Sequence, residues 1–257
     1  MNITPLLASL AGCLCLTALN GSVVFFDDFE SYPVANDQST SGGGKIYSGF
    51  GVADQTTATP FGSPNQFGYL DGGSSFVRVA SVSTLMTYSF DLFEPTTGQS
   101  SITRFGIGQG DVNANAYAAW SINNGVLTAI NNTSLVSGSL PTLELDRAYV
   151  TYIVHNGSGA SETIAGTGAT LGAGQTALYF YDTVSTTVIA AGIYDHTSDK
   201  LVNSFLIRSF SADDNTLYFD NITHDNTLTV VPEPGLYAAI FACAALGFAV
   251  RRRSQKR

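Results

Sequence analysis

Ala116-Tyr117-Ala118-Ala119-Trp120-Ser121-Ile122-Asn123-Asn124-Gly125-Val126-Leu127-Thr128-Ala129-Ile130 is the stretch that decides the fold. Two β-rich apolar runs flank Asn124-Gly125, a dipeptide that accepts the left-handed backbone of a tight hairpin turn. Working outward from it, the same texture recurs: short alternating runs broken by turn residues. Strands are predicted at Val23–Phe26, Gln66–Leu70, Phe76–Val82, Met86–Phe93, Ile102–Ile107, Ala116–Ile122, Val126–Ile130, Ala148–His155, Ala177–Asp182, Thr187–Ile193, Leu201–Ser209 and Thr216–Thr223. Between them lie Asp71-Gly72-Gly73, Asn156-Gly157-Ser158-Gly159 and Asp213-Asp214-Asn215, which read as turns. Gly157–Gly174, rich in Gly, Ala, Ser and Thr, reads as a long surface loop. No segment of residues 23–230 keeps a helical period, so the expected class is all-β, a two-sheet sandwich.

Charge and cysteine narrow the function. The chain has 257 residues, 12% of them charged and 44% hydrophobic, too apolar for a disordered chain. Five of its 11 basic residues stand at the extreme C-terminus: Arg251, Arg252, Arg253, Lys256 and Arg257. The stretch between residues 22 and 230 keeps six basic against nineteen acidic side chains, a formal −13. A surface that acidic repels phosphate backbones and excludes nucleic acid as a partner. Cys13, Cys15 and Cys243 all lie in terminal apolar runs, so the body has no disulfide, thiolate nucleophile or thiolate metal site.

The ends read as processing segments. Ile3–Leu19 is apolar and is broken by Asn20-Gly21-Ser22, the pattern of a secretory signal peptide over residues 1–22. Leu10-Ala11-Gly12-Cys13 also resembles a bacterial lipobox, in which Cys13 would become the lipidated first residue. At the other end stand Val231-Pro232-Glu233-Pro234, sixteen uncharged residues Gly235–Val250, and the basic tail. The prolines interrupt regular structure. The apolar run is short against the ~20 residues of an ordinary span but fits a thin or adapted bilayer. The basic tip is held in the cytoplasm, which turns residues 23–230 outward.

The order of those three parts resembles the PEP-CTERM sorting signal of Gram-negative bacteria, covering residues 231–257. The resemblance implies an exosortase partner, an inner-membrane anchor before cleavage near Pro232-Glu233-Pro234, and release to the cell surface or an exopolysaccharide matrix. The alternative on the same residues is a plain membrane anchor.

Two further segments, Asp27-Asp28-Phe29-Glu30-Ser31-Tyr32 and Tyr218-Phe219-Asp220-Asn221-Ile222, resemble the ends of concanavalin-like and carbohydrate-binding-module jelly rolls, in which first and last strands are neighbours. That resemblance implies a structural calcium held by Asp28, Glu30 and Asp220; the alternative is that these acids are solvated or cap turns. Glycan binding would need exposed rings, with Trp120 and Tyr117 first in line and Tyr47 and Phe50 in a Gly-rich stretch; core packing is the favoured reading of Trp120.

Catalysis finds little footing. Glu144-Leu145-Asp146 sets two acids on one face of a strand, as a glycoside hydrolase would want. The concanavalin-like glucanase motif continues with a third acid, where this chain has Arg147-Ala148. His155, His196 and His224 are not spaced as a metal pair, and the last two read as solvated loop residues. No Gly-x-Ser-x-Gly elbow occurs. The expectation is a non-catalytic exported surface or matrix protein, with a carbohydrate-binding module as the alternative and a glycoside hydrolase third.

Overall fold

A computed structural model describes residues 23–30, 32, 35–38, 46–47, 50–54, 60–61, 66–70, 75–79, 84–96, 102–109, 116–130, 133–196, 202–209 and 217–230. The signal-peptide and sorting-signal readings, residues 1–22 and 231–257, lie outside the described residues. The strands in chain order are β1 Val23–Asp27, β2 Ala35–Gln38, β3 Ile46–Tyr47, β4 Phe50–Asp54, β5 Gln66–Leu70, β6 Ser75–Val79, β7 Leu85–Phe93, β8 Thr103–Gly108, β9 Ala116–Asn123, β10 Val126–Ile130, β11 Thr133–Ser137, β12 Ala148–Asn156, β13 Glu162–Thr163, β14 Thr170–Leu171, β15 Thr176–Asp182, β16 Thr187–His196, β17 Ser204–Ser209 and β18 Leu217–Asp225. No helix occurs among the described residues. All twelve predicted strands are present. The sequence gives no sign of β2, β3, β4, β11, β13 and β14, because none carries a sustained alternation of its own.

The strands form two main antiparallel sheets. The larger runs β11-β16-β15-β12-β7-β18-β5-β4-β2, with β1 also on β18; the smaller runs β10-β9-β8-β17-β6-β3. First and last strands are neighbours, as the terminal segments implied: Phe26 faces Thr223 and Asp27 faces Ile222. On its other side β18 pairs with β7, and its first three residues pair with β5. The hairpin that opened the sequence reading closes at Asn124 (φ 51°) and Gly125 (φ 73°), both left-handed as its turn requires. Glu94, at the end of β7, pins this turn: its carboxylate accepts the N–H groups of Asn124 and Gly125, each at 2.9 Å.

Period-two alternation sorts the larger sheet into two faces. Ile153 of β12 and Leu178 and Phe180 of β15 point into the main core with Phe90, Phe105, Trp120 and Phe205. Tyr152, Val154, Ala177, Tyr179 and Tyr181 point the opposite way, into a second apolar cluster. That outer face is covered by the Gly157–Gly174 segment, which is no free loop. Its β13–β14 hairpin buries Ile164 and Leu171 completely, and Asn156 Nδ2 ties it down through the carbonyls of Ala160, Leu171 and Gly172. The chain after β18 returns over the same face, where Leu228 and Val230 are buried in this cluster. The body thus has three layers: hairpin and strap, larger sheet, smaller sheet.

Candidate functional site

The segment expected to hold calcium is a turn that plugs the core. Asp27 Oδ1 accepts the N–H of Phe29 at 3.1 Å, and its Oδ2 accepts the Tyr32 hydroxyl at 2.8 Å. Phe29 is thereby held in a left-handed conformation (φ 59°), which costs roughly 1–2 kcal/mol for a residue with a Cβ. Its ring is fully buried against Phe50, Phe76 and Phe219, which offsets that with roughly 2–3 kcal/mol of burial. Phe50 opens β4 and lies wholly in the core, so it is not a loop ring offered to a sugar. Asp28, Glu30 and Asp220 do not converge. Asp28 Oδ1 accepts the Glu30 N–H at 3.3 Å, and Glu30 Oε1 accepts the Gln66 N–H at 2.8 Å. Asp220 is buried in β18, where Oδ1 accepts the Asn221 N–H at 2.8 Å. Among the described residues, no group of three or more His, Cys, Asp or Glu side chains is placed to hold a metal ion.

The two carboxylates weighed for hydrolysis are also committed elsewhere. Residues 144–147 form a turn ahead of β12, not a strand, so period-two spacing does not apply to them. Asp146 is left-handed (φ 54°), and its two oxygens accept the N–H and hydroxyl of Thr96 at 2.9 and 2.8 Å. Glu144 is paired with Arg147, whose other arm meets Asp182 at 2.5 Å. Burial raises the Asp182 carboxyl, but bonds from Ser185, Val184 and Arg147 outweigh it and hold the group below its ordinary value.

Trp120 is fully buried between Phe105 and Tyr194, so it presents no face to a sugar ring; packing governs this position because β9 points it into the sandwich. Tyr117, three residues earlier, is half-buried and crosses from the smaller sheet to the larger one. Its hydroxyl donates to the Gly174 carbonyl at 2.9 Å, and its ring packs on both His155 (4.9 Å) and His196 (4.3 Å).

Those contacts bring Tyr117, His155 and His196 together. His155 Nδ1 lies 3.0 Å from Thr176 Oγ1, and His196 Nε2 lies 2.9 Å from the same oxygen. One hydroxyl has one proton, so Thr176 donates to one imidazole and accepts from the other. Gln175 Nε2 donates to Asp195 Oδ1 at 2.9 Å beside them. Burial drives the His155 pKa down to about 4, partly opposed by the Gln175 backbone. Burial, with the nearby His155, drives His196 down to about 3 against the attraction of Asp195. His196 is therefore not a solvated loop residue: it ends β16, half-buried, with Nδ1 buried and unpartnered. His224 departs further from the reading. It is wholly buried in β18, stacked 4.4 Å from Tyr88, with neither ring nitrogen bonded; burial lowers its pKa. Pairwise spacing along the chain gave no sign of the 155–196 pair, because they stand on β12 and β16, one strand apart in the sheet.

No family model matches the chain, and no curated protein matches it. Solved structures that resemble it include a Trypanosoma rangeli sialidase, 13% identical with a TM-score of 0.41 over 76% of this chain and 31% of that one. Others are the carbohydrate binding module CBM66 of Bacillus subtilis, at 14% and 0.38 over 75% and 96% of the two chains, and domain 4 of AbnA, a GH43 extracellular arabinanase of Geobacillus stearothermophilus, at 10% and 0.40 over 80% and 92%. The chain thus spans about a third of the sialidase's length. Likenesses this distant assign neither a family nor a ligand.

The histidine cluster spans the two sheets. Two imidazoles at about 4 and about 3 are neutral and feebly basic near neutrality. Their bonds run to Thr176, and Tyr117 closes over both, so the group joins the two sheets at one end of the sandwich.

Proposed function

We propose that this is an exported, non-catalytic surface or matrix protein, whose β-sandwich body is carried to the outer side of the inner membrane and freed there by an exosortase acting on residues 231–257. The observation that carries this reading is the tripartite tail: Val231-Pro232-Glu233-Pro234, an uncharged run Gly235–Val250, and Arg251-Arg252-Arg253 at the tip. An acidic, cysteine-free body suits life outside the cytoplasm without dependence on disulfides. The committed state of Glu144 and Asp146 supports the absence of a hydrolytic pair. The extracellular polysaccharide is the partner this reading supplies. Should the body bind a glycan specifically, the ring responsible is one other than Trp120.

The test compares the chain expressed with and without an exosortase. Intact-mass measurement should find a form shortened at its C-terminus only with the enzyme, and Glu233→Ala should block the shortening. An unshortened chain in both hosts, or an untouched chain in the cytosol, overturns the proposal.

A further inference from the structure

The strap that leads into the tail is part of the folded body right up to its last described residue. Asp225 Oδ1 accepts the N–H and hydroxyl of Thr227 at 3.0 and 2.8 Å. The Thr87 hydroxyl donates to the Thr227 carbonyl at 2.7 Å and accepts the Thr229 N–H at 3.1 Å. Ala165 N–H donates to the Leu228 carbonyl, and Val230 N–H donates to the Ala165 carbonyl, both at 2.9 Å. Leu228 and Val230 are buried. Gly166 is left-handed (φ 91°), and a Cβ there would fall 2.0 Å from the Val230 carbonyl oxygen, so the strap has room only against glycine.

This docking fixes where the tail leaves the body: at the outermost of three layers, beside the Ala165–Gly168 turn of the hairpin. From Val230 to Gly235, where the uncharged run begins, is five peptide steps. Whatever their conformation, five steps reach at most roughly 18 Å. The two sheets stack roughly 10 Å apart, which sets the smaller sheet well beyond the hairpin layer. We propose that, while the tail anchors the protein, the Gly157–Gly174 hairpin faces the phospholipid surface and the β10-β9-β8-β17-β6-β3 sheet faces away. Charge does not set this orientation, since the hairpin carries only Glu162 while β6, β8 and β17 carry Arg78, Arg104 and Arg208; the short tether does. The inference rests on the reading of Gly235–Val250 as a membrane segment.

The experiment uses the full chain with Cys13, Cys15 and Cys243 changed to Ser, in vesicles of phosphatidylethanolamine and phosphatidylglycerol with a nitroxide-headgroup lipid. A fluorophore is attached through Thr163→Cys on the exposed side of the hairpin or through Thr128→Cys on the outer face of the smaller sheet. Quenching severalfold greater at position 163 than at 128 is expected. A long Gly-Ser insertion between Val230 and Val231 should bring the two to the same level without releasing the chain. Equal quenching in the uninserted chain, or stronger quenching at 128, overturns the orientation while leaving the anchor intact. A chain that fails to float with the vesicles overturns the anchor and the orientation together.

Discussion

Lowering the pH from about 7.5 to about 5 should remove about 4 kcal/mol of stability through two histidines. His155 and His196 are neutral in the folded body, with pKa values held down to about 4 and about 3 against an ordinary 6.5. Well above pH 6.5 neither folded nor unfolded chain binds a proton at these sites, so their contribution is fully present. As pH falls below 6.5 the unfolded chain binds protons that the folded one refuses, and stability falls by about 1.4 kcal/mol per pH unit for each ring. By about pH 5 each has removed about 2 kcal/mol. The loss stops growing once pH passes the folded values. Against a usual total of roughly 5–15 kcal/mol, this is a large share. Glu94 acts in the opposite sense: burial raises its carboxyl, so protonation stabilises the fold as pH falls, and the backbone bonds only partly oppose that. The measurement is therefore differential. Urea unfolding of wild type and His196→Gln is followed at both pH values, and the variant should lose about 2 kcal/mol less on acidification. Equal acid losses in the two proteins, or imidazole proton resonances in the folded protein that titrate near pH 6.5, would refute the buried-neutral assignment.

Three further outcomes follow from the geometry. Glu94→Ala strips the buried Gly125 N–H and the part-buried Asn124 N–H of the β9–β10 turn of their acceptor, and chemical denaturation should register a loss of roughly 1–3 kcal/mol; no loss would mean that the carboxylate does not hold the turn. Trp120→Ala should lower stability by roughly 3–5 kcal/mol by thermal or urea unfolding. A variant that stayed stable and lost binding on a glycan array would instead place that ring at the surface. Because Asp28, Glu30 and Asp220 do not form a group placed to hold a metal ion, the melting temperature should be the same in excess chelator and in millimolar calcium; a rise with calcium would refute that placement.

Twelve of the strands and the Asn124-Gly125 hairpin were legible in the sequence, because alternation and left-handed turn residues are local properties. So was the adjacency of β1 and β18, through its resemblance to known sandwiches. The candidate site was much less so. Gly157–Gly174 has the composition of a loop, yet Ile164 and Leu171 find an apolar face to cover only once the larger sheet exists. The acids at 144 and 146 were assigned to a strand that begins two residues later.

His224 gives the sharpest case. Leu217 and Phe219 point inward, and strict alternation would send Asn221 and Thr223 inward after them, leaving His224 in solvent. The ladder slips between Asp220 and Thr223, where Asn221 is left-handed (φ 48°), and the phase inverts: Ile222 and His224 are buried instead. Sequence by itself determined which residues alternate, which turns close, and how the charges and cysteines are distributed along the chain. Tertiary structure alone decided which face met the core, which histidines share a hydroxyl, and which segment covers the outer sheet. A strand's period is written in its own residues, whereas its phase and its neighbours are set by pairing with strands far away in the chain.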